Sequence, residues 1–287
     1  ARLRRDRVAA AAAAVIGLIA LLAIFAPVVA ALVGHGPDAQ YRATGLSPDG
    51  IPVGPGATFL FGTDDLGRDV FVRVVYGTRI SLLVGVVATG IAIAIGVVIG
   101  LAAGYFGRTV DSVLGRFMDV VLSLPYLIFA IALVSIVGPS LLVSIAVIAF
   151  FSWASVGRIV RGQVLSIKER EFIEAARSLG ASDLRIMFVE ILPNVVAPVI
   201  VYATLLIPVS IVFEATLSFL GIGVVAPTPT WGNMLSEALP YYSVAWWFVA
   251  FPGLALLVTT VAFNLLGDSV RDAFDPRGTA FRSGGEG

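Results

Sequence analysis

Asp64, Asp65 and Asp69 in "FGTDDLGRDVF" (residues 61–71) place three carboxylates within six residues, which suggests a calcium site. An EF-hand needs alternating oxygen ligands and a glutamate at the twelfth position. This spacing supplies neither, so an Asp/Gly turn and a helix cap are expected instead. His35 is the single histidine and cysteine is absent, which leaves no zinc ligand set, disulfide or thiolate. A phosphate-binding P-loop needs Gly-Lys followed by Ser or Thr. The only lysine, Lys168, stands between Ile167 and Glu169, so any ATPase must be another polypeptide. No paired acids, HExxH or serine elbow falls within an apolar run, and catalysis by this chain is not expected. Three polar features remain. They are Glu214 in "SIVFEATLSF", Asn264 in "AFNLLGD", and the charged segment "EFIEAARSLGASDLRIMFVEILP" at 171–193.

The setting of these groups is a bilayer. Of 287 residues, 58% are hydrophobic and 13% charged, too little polar surface for a soluble domain. Net charge is zero, so nothing points to nucleic acid. A span needs about 20 apolar residues. Val8–Val33, Ile80–Phe106, Ile191–Gly223 (apart from Glu214) and Ala238–Gly267 qualify. Val120–Gly157 is long enough for two spans, divided by "VGPS" at 137–140. An all-α membrane protein with six transmembrane helices is therefore expected, since lipid leaves no partner for unpaired backbone. The first run is too long for a signal-peptide core and is expected to persist as a span.

With the amino terminus inside, the inner segments hold 15 of 19 basic residues, "RLRRDR" at 2–7 among them; Arg42, Arg68, Arg73 and Arg79 fall outside. The positive-inside rule then puts both termini in the cytoplasm. The expected divisions are a cytoplasmic tail and first span (1–33), an extracytoplasmic loop (34–79), a five-span core (80–270) and a cytoplasmic tail (271–287). Trp231, Tyr241, Tyr242, Trp246 and Trp247, in and around a second outer loop (224–245), suit an interfacial aromatic belt.

Arg158 to Glu190 carries six positive and five negative charges on the inner side. Phe172, Ala175, Ala176 and Leu179 recur at helical spacing. Gly180 can end that helix in the left-handed region. Ser182 can cap the next, with Asp183 beside its positive end. Leu184, Met187, Phe188 and Ile191 form a second stripe, and Pro193 marks entry to the next span. A hairpin on the inner membrane face follows, with paired alanines that let another backbone approach. A lipid-lying helix would show a basic polar face; the near balance of signs here suits a protein socket.

"EAARSLG" followed by "ILPN" resembles the EAA loop of ABC importer permeases, through Glu174, Ala175, Ala176, Gly180, Leu192 and Pro193. Glu190 departs from a position that is often aliphatic. "GTDDLGRDVF", "RISLLVG", "SFLGIGV", "PTPTWGNML", "FPGLAL" and "AFNLLGDSVRDAFDPR" resemble the C-type permease of dipeptide, oligopeptide and nickel importers, over about residues 60–277. The resemblance implies a type I ABC importer permease in the bacterial cytoplasmic membrane, with a coupling hairpin (168–193) between helices 4 and 5. It implies that those six residues meet a separate ATPase. The implied partners are a second, B-type permease, two cytoplasmic ATPase subunits or domains holding ATP and Mg, and an extracytoplasmic substrate-binding protein. The chain itself would hold no cofactor or metal. Peptides are the implied cargo, with nickel chelates or another small ligand as the alternative.

Glu214, costly at a bilayer centre, is expected to line a cavity, pair across a subunit interface, or bond to a neighbouring helix. Asn264 is a candidate for the translocation path or a helix interface, and a helix–helix hydrogen bond is expected over a substrate contact. Gly85, Gly90, Gly96, Gly100 and Gly104 suit close helix packing, and Pro193, Pro198 and Pro208 suit a bent fifth span. A stand-alone secondary transporter would show more buried ionisable groups or an internal repeat.

Overall fold

A computed structural model describes residues 7–274. Most of "RLRRDR" and the tail beyond Phe274 lie outside the described residues. Regular structure within them is helical, apart from isolated bridges joining Leu46 to Pro52 and Thr63 to Asp69.

The helices are α1 (Arg7–Ile24), α2 (Ala26–Val33), α3 (Arg42–Gly45), α4 (Val70–Phe106), α5 (Arg108–Ser123), α6 (Tyr126–Val137), α7 (Leu141–Ile167), α8 (Glu171–Ser178) and α9 (Asp183–Arg185). A π-helical stretch (Ile186–Ile191) leads into α10 (Leu192–Phe219), followed by α11 (Trp231–Ala238) and α12 (Trp246–Phe274). Five helical stretches are long and apolar enough to cross a membrane, and the bent pair α5–α6 makes a sixth.

Several boundaries differ from the hydropathy reading, and α12 covers Trp246–Phe274 rather than Ala238–Gly267. α4 starts ten residues before Ile80, because the Asp69 side chain accepts hydrogen bonds from the Phe71 and Val72 N–H groups and caps it. Arg73 therefore lies inside the helix, where acids neutralise it. The run from Val120 does not form one straight span. α5 is amphipathic and turns 84° into α6, at Leu124 and Pro125, because a proline disfavours helical backbone in the residue before it. The first run breaks at Phe25, before Pro27 in the first turn of α2. The "VGPS" turn is present: Gly138 takes φ +89° and Ser140 caps α7.

α4 and α7 run parallel and form the centre of the core. Gly96, Gly100 and Gly104 meet Val156, Val160 and Val164, one pair per helical turn. A Cβ on Gly100 would come 2.6 Å from the Gly157 carbonyl oxygen, so only glycine permits this approach. α10 runs antiparallel to α4, with Gly85 under Ile211 and a Thr89–Ser210 hydroxyl pair at 3.1 Å. Gly90 faces open space and takes no part in that packing. α12 packs on α10 through Gly267 and Leu205. The start of α1, the α8–α9 hairpin and the end of α12 share one end of the bundle; the 34–69 loop and α11 occupy the other.

Candidate functional site

The hairpin is built by the expected local signals. Gly180 takes φ +80° in open space, a conformation that side chains strain. The Ala181 N–H donates to the Ala176 carbonyl at 3.1 Å, and Ser182 Oγ accepts from the Arg185 N–H. Asp183 lies in the first turn that follows.

The two apolar stripes are not as expected. Ile173 is fully buried and Ala176 packs on the core, whereas Phe172, Ala175 and Leu179 face outward, Leu179 with 88% of its surface exposed. In the second arm the π-helical turn re-registers the chain, placing Ile186, Met187 and Ile191 inward and leaving Leu184 and Phe188 exposed. The knob thus keeps an apolar outer face that the described residues do not cover. Glu174 is exposed beside it, Leu192 is half-buried against the core, and Pro193 is exposed.

The root of the knob touches the end of α4. Tyr105 Oη donates to Asp183 Oδ1 at 2.7 Å, Arg177 Cζ lies 5.4 Å from the Tyr105 ring centroid, and Lys168 Nζ donates to the Gly104 carbonyl at 3.0 Å. Sequence reasoning missed Tyr105; nothing in its neighbourhood marks it before the fold brings residue 183 to it.

Glu214 is wholly buried at the α4–α10 interface, accepting from Ser81 Oγ at 2.9 Å and Ser218 Oγ at 2.7 Å. Among the described residues it therefore serves a helix contact within the chain. Asn264 is exposed on α12 and makes no helix–helix hydrogen bond among the described residues, contrary to expectation.

The opposite end holds a buried charge cluster. Arg68 Nε reaches Asp64 Oδ2 at 2.5 Å and its Nη2 reaches Glu237 at 2.8 Å. Fully buried Arg73 lies 3.4 Å from both Asp64 and Glu237 and donates to the Pro37 carbonyl. His35 bridges to Asp69 at 2.6 Å. Asp64, Asp65 and Glu237 converge as metal ligands would. Two guanidiniums already supply the positive charge there, and Asp64 accepts the Leu66 and Arg68 N–H groups as a turn. Burial outweighs the arginines and raises the Glu237 carboxyl above its ordinary range; burial, then Asp64, raises Asp65.

Of the expected belt aromatics, Tyr242 and Trp246 are exposed. Trp231 and Trp247 are buried instead, their indole N–H groups donating to the Val74 and Thr63 carbonyls. The "TPTWGN" string is a capping box, in which Thr230 and Asn233 serve each other's backbone.

Residues 96–279 match the family of binding-protein-dependent transport system inner membrane components, and residues 1–48 match the N-terminal transmembrane domain of oligopeptide transport permease C. The chain belongs to this permease family. It is 42% identical to the dipeptide transport system permease protein DppC of Alkalihalophilus pseudofirmus, over 96% of this chain and 88% of that one. It is 43% identical to the di/tripeptide permease DppC of Pseudomonas aeruginosa, over 91% and 85% of the two chains. It is also 42% identical to the glutathione permease GsiD of Escherichia coli, over 96% and 88%. The permease fold matches an inward-facing MetNI methionine ABC transporter chain with a TM-score of 0.57, over 72% of this chain and 97% of that chain at 19% identity. The architecture is that of type I ABC importer permeases.

Proposed function

We propose that this permease moves peptides of the dipeptide/oligopeptide class across the bacterial cytoplasmic membrane, driven by separate ATPase subunits that grip the 168–193 hairpin. The observation that carries this reading is the outward apolar face of Phe172, Ala175 and Leu179 beside exposed Glu174. Removing such a face from water drives association, and Ala175 leaves room for a close approach. The relatives named for dipeptides, di/tripeptides and glutathione favour a peptide over a nickel chelate, and the family favours an assembled importer over a stand-alone transporter.

The full assembly pairs this chain with a second, B-type permease, two ATPase subunits or domains and an extracytoplasmic binding protein. ATP and Mg belong to the ATPases. Both termini and the hairpin face the cytoplasm, and the 34–69 loop and α11 face the binding protein. ATP-driven closure biases a bistable helix packing through the hairpin. Glu174, Ala175, Ala176 and Gly180 shape the contact, while Leu192 and Pro193 fix where the arm enters α10. Glu214 holds α4 to α10 and lies off the path; Asn264 is exposed toward lipid or the second permease.

Peptide uptake into proteoliposomes holding the assembled importer tests this. Ala175→Trp and Gly180→Val should leave membrane insertion intact and abolish uptake linked to ATP hydrolysis. Normal peptide uptake in both variants would refute the reading.

A further inference from the structure

The hairpin has to pass force to something rigid, and the fold offers one continuous candidate. α4 runs unbroken for 37 residues, about 55 Å at 1.5 Å per residue. At one end it carries Asp69 and Arg73 of the buried charge cluster; at the other it ends on Tyr105 and Phe106. Tyr105 is only 7% exposed, yet its two polar contacts come from opposite arms of the hairpin. Arg177 of α8 lies over the ring face, and Asp183 of α9 accepts a hydrogen bond from the hydroxyl. The Gly180 turn is what brings both arms onto one side chain. Lys168, at the root of the hairpin, bonds the carbonyl of the preceding residue, Gly104. Three points of the hairpin thus converge on two consecutive residues of α4.

Resting on the coupling role proposed above, we infer that Tyr105 is a positioning residue that clamps both arms of the hairpin to α4, so that displacement of the hairpin moves α4 as a rod. The hydroxyl bond to Asp183 fixes the second arm. The ring under Arg177 fixes the first. Without the clamp the hairpin remains attached through its chain ends and through Ile173, Ile186 and Ile191, and it can still meet an ATPase. Its motion would then be absorbed in the loosened joint before reaching α4.

The test uses the assembled importer in proteoliposomes and reads peptide transported per ATP hydrolysed. ATPase co-purification serves as the control for assembly. Tyr105→Phe keeps the buried ring and loses the bond; Asp183→Ala loses it from the exposed side, where folding is least affected. Each should lower the ratio about two- to tenfold, with ATPase retention unchanged. The double variant should be no worse than either single one, and Asp183→Asn, which keeps an acceptor oxygen, should retain most of the coupling. A wild-type ratio in Asp183→Ala, or a double variant falling by the product of the single losses, overturns the clamp. If Gly180→Val uncouples while both single variants behave as wild type, only the clamp falls. If Gly180→Val also transports normally, the coupling role itself falls.

Discussion

Both ends of the bundle carry charge, and they handle it in opposite ways. At the loop end, Arg68, Arg73, Asp64 and Glu237 turn inward and satisfy one another, with Arg73 wholly out of water. At the hairpin end, Glu174 and the apolar Phe172, Ala175 and Leu179 turn outward and are unmatched among the described residues. A self-satisfied buried cluster is built for holding a shape. An apolar face standing in water is built for being covered. On the coupling role proposed above, the difference separates residues whose loss costs stability from residues whose loss costs association.

The strongest test of that separation is Arg73→Met. It removes one of the two guanidiniums facing Asp64 and Glu237, leaving Arg68 alone against both acids, and should cost about 3–5 kcal/mol of stability, seen as a lower melting temperature of the detergent-solubilised chain. Next comes Leu179→Asp. Stability should change by no more than about 0.5 kcal/mol, while affinity for the ATPase subunits falls about tenfold or more in a pull-down titration. A large melting shift in Leu179→Asp, or ATPase loss in an Arg73 variant that still folds, would erase the contrast. Gly100→Ala should cost about 1–3 kcal/mol through overpacking against Gly157 and Val160, with the ATPase affinity of the folded fraction unchanged.

The smallest effect concerns pH. The folded Glu237 carboxyl titrates above its unfolded value, so the fold binds the proton more tightly than the unfolded chain does. Its stabilisation is complete below the ordinary glutamate value and is lost as pH rises through the raised one. Glu237→Gln should flatten that part of a melting-temperature profile. An unchanged slope would show that another group carries it.

Much of this was legible in the sequence. Uncharged runs gave the spans, and Gly180 and Ser182 gave the hairpin turn and cap, because those signals are local. The Asp69 cap and the Asp64 turn were readable for the same reason. What escaped depended on contacts distant in sequence. The start of α4 was set too late because the uncharged run begins only after Arg79, whereas the helix starts upstream on the Asp69 cap and takes in Arg73, which Glu237, 164 residues away, neutralises. The inward stripe of the second arm was misassigned because an α-helical period was applied where the backbone takes a π turn. Trp231 and Trp247 resembled interfacial anchors because their carbonyl partners, at Val74 and Thr63, lie far along the chain.

The glycine–valine register between α4 and α7 has a mechanical consequence. Its teeth recur every four residues, about 6 Å along each axis, and each valine sits where a Cβ on the facing glycine would clash, so an intermediate offset brings it against residues that carry side chains. Small slides between these two helices are therefore blocked, and the pair travels as a plank. Whatever opens and shuts in this permease must do so along other seams, such as the hydroxyl-lined contact of α4 with α10 or the ion-paired contact of α5 with α7.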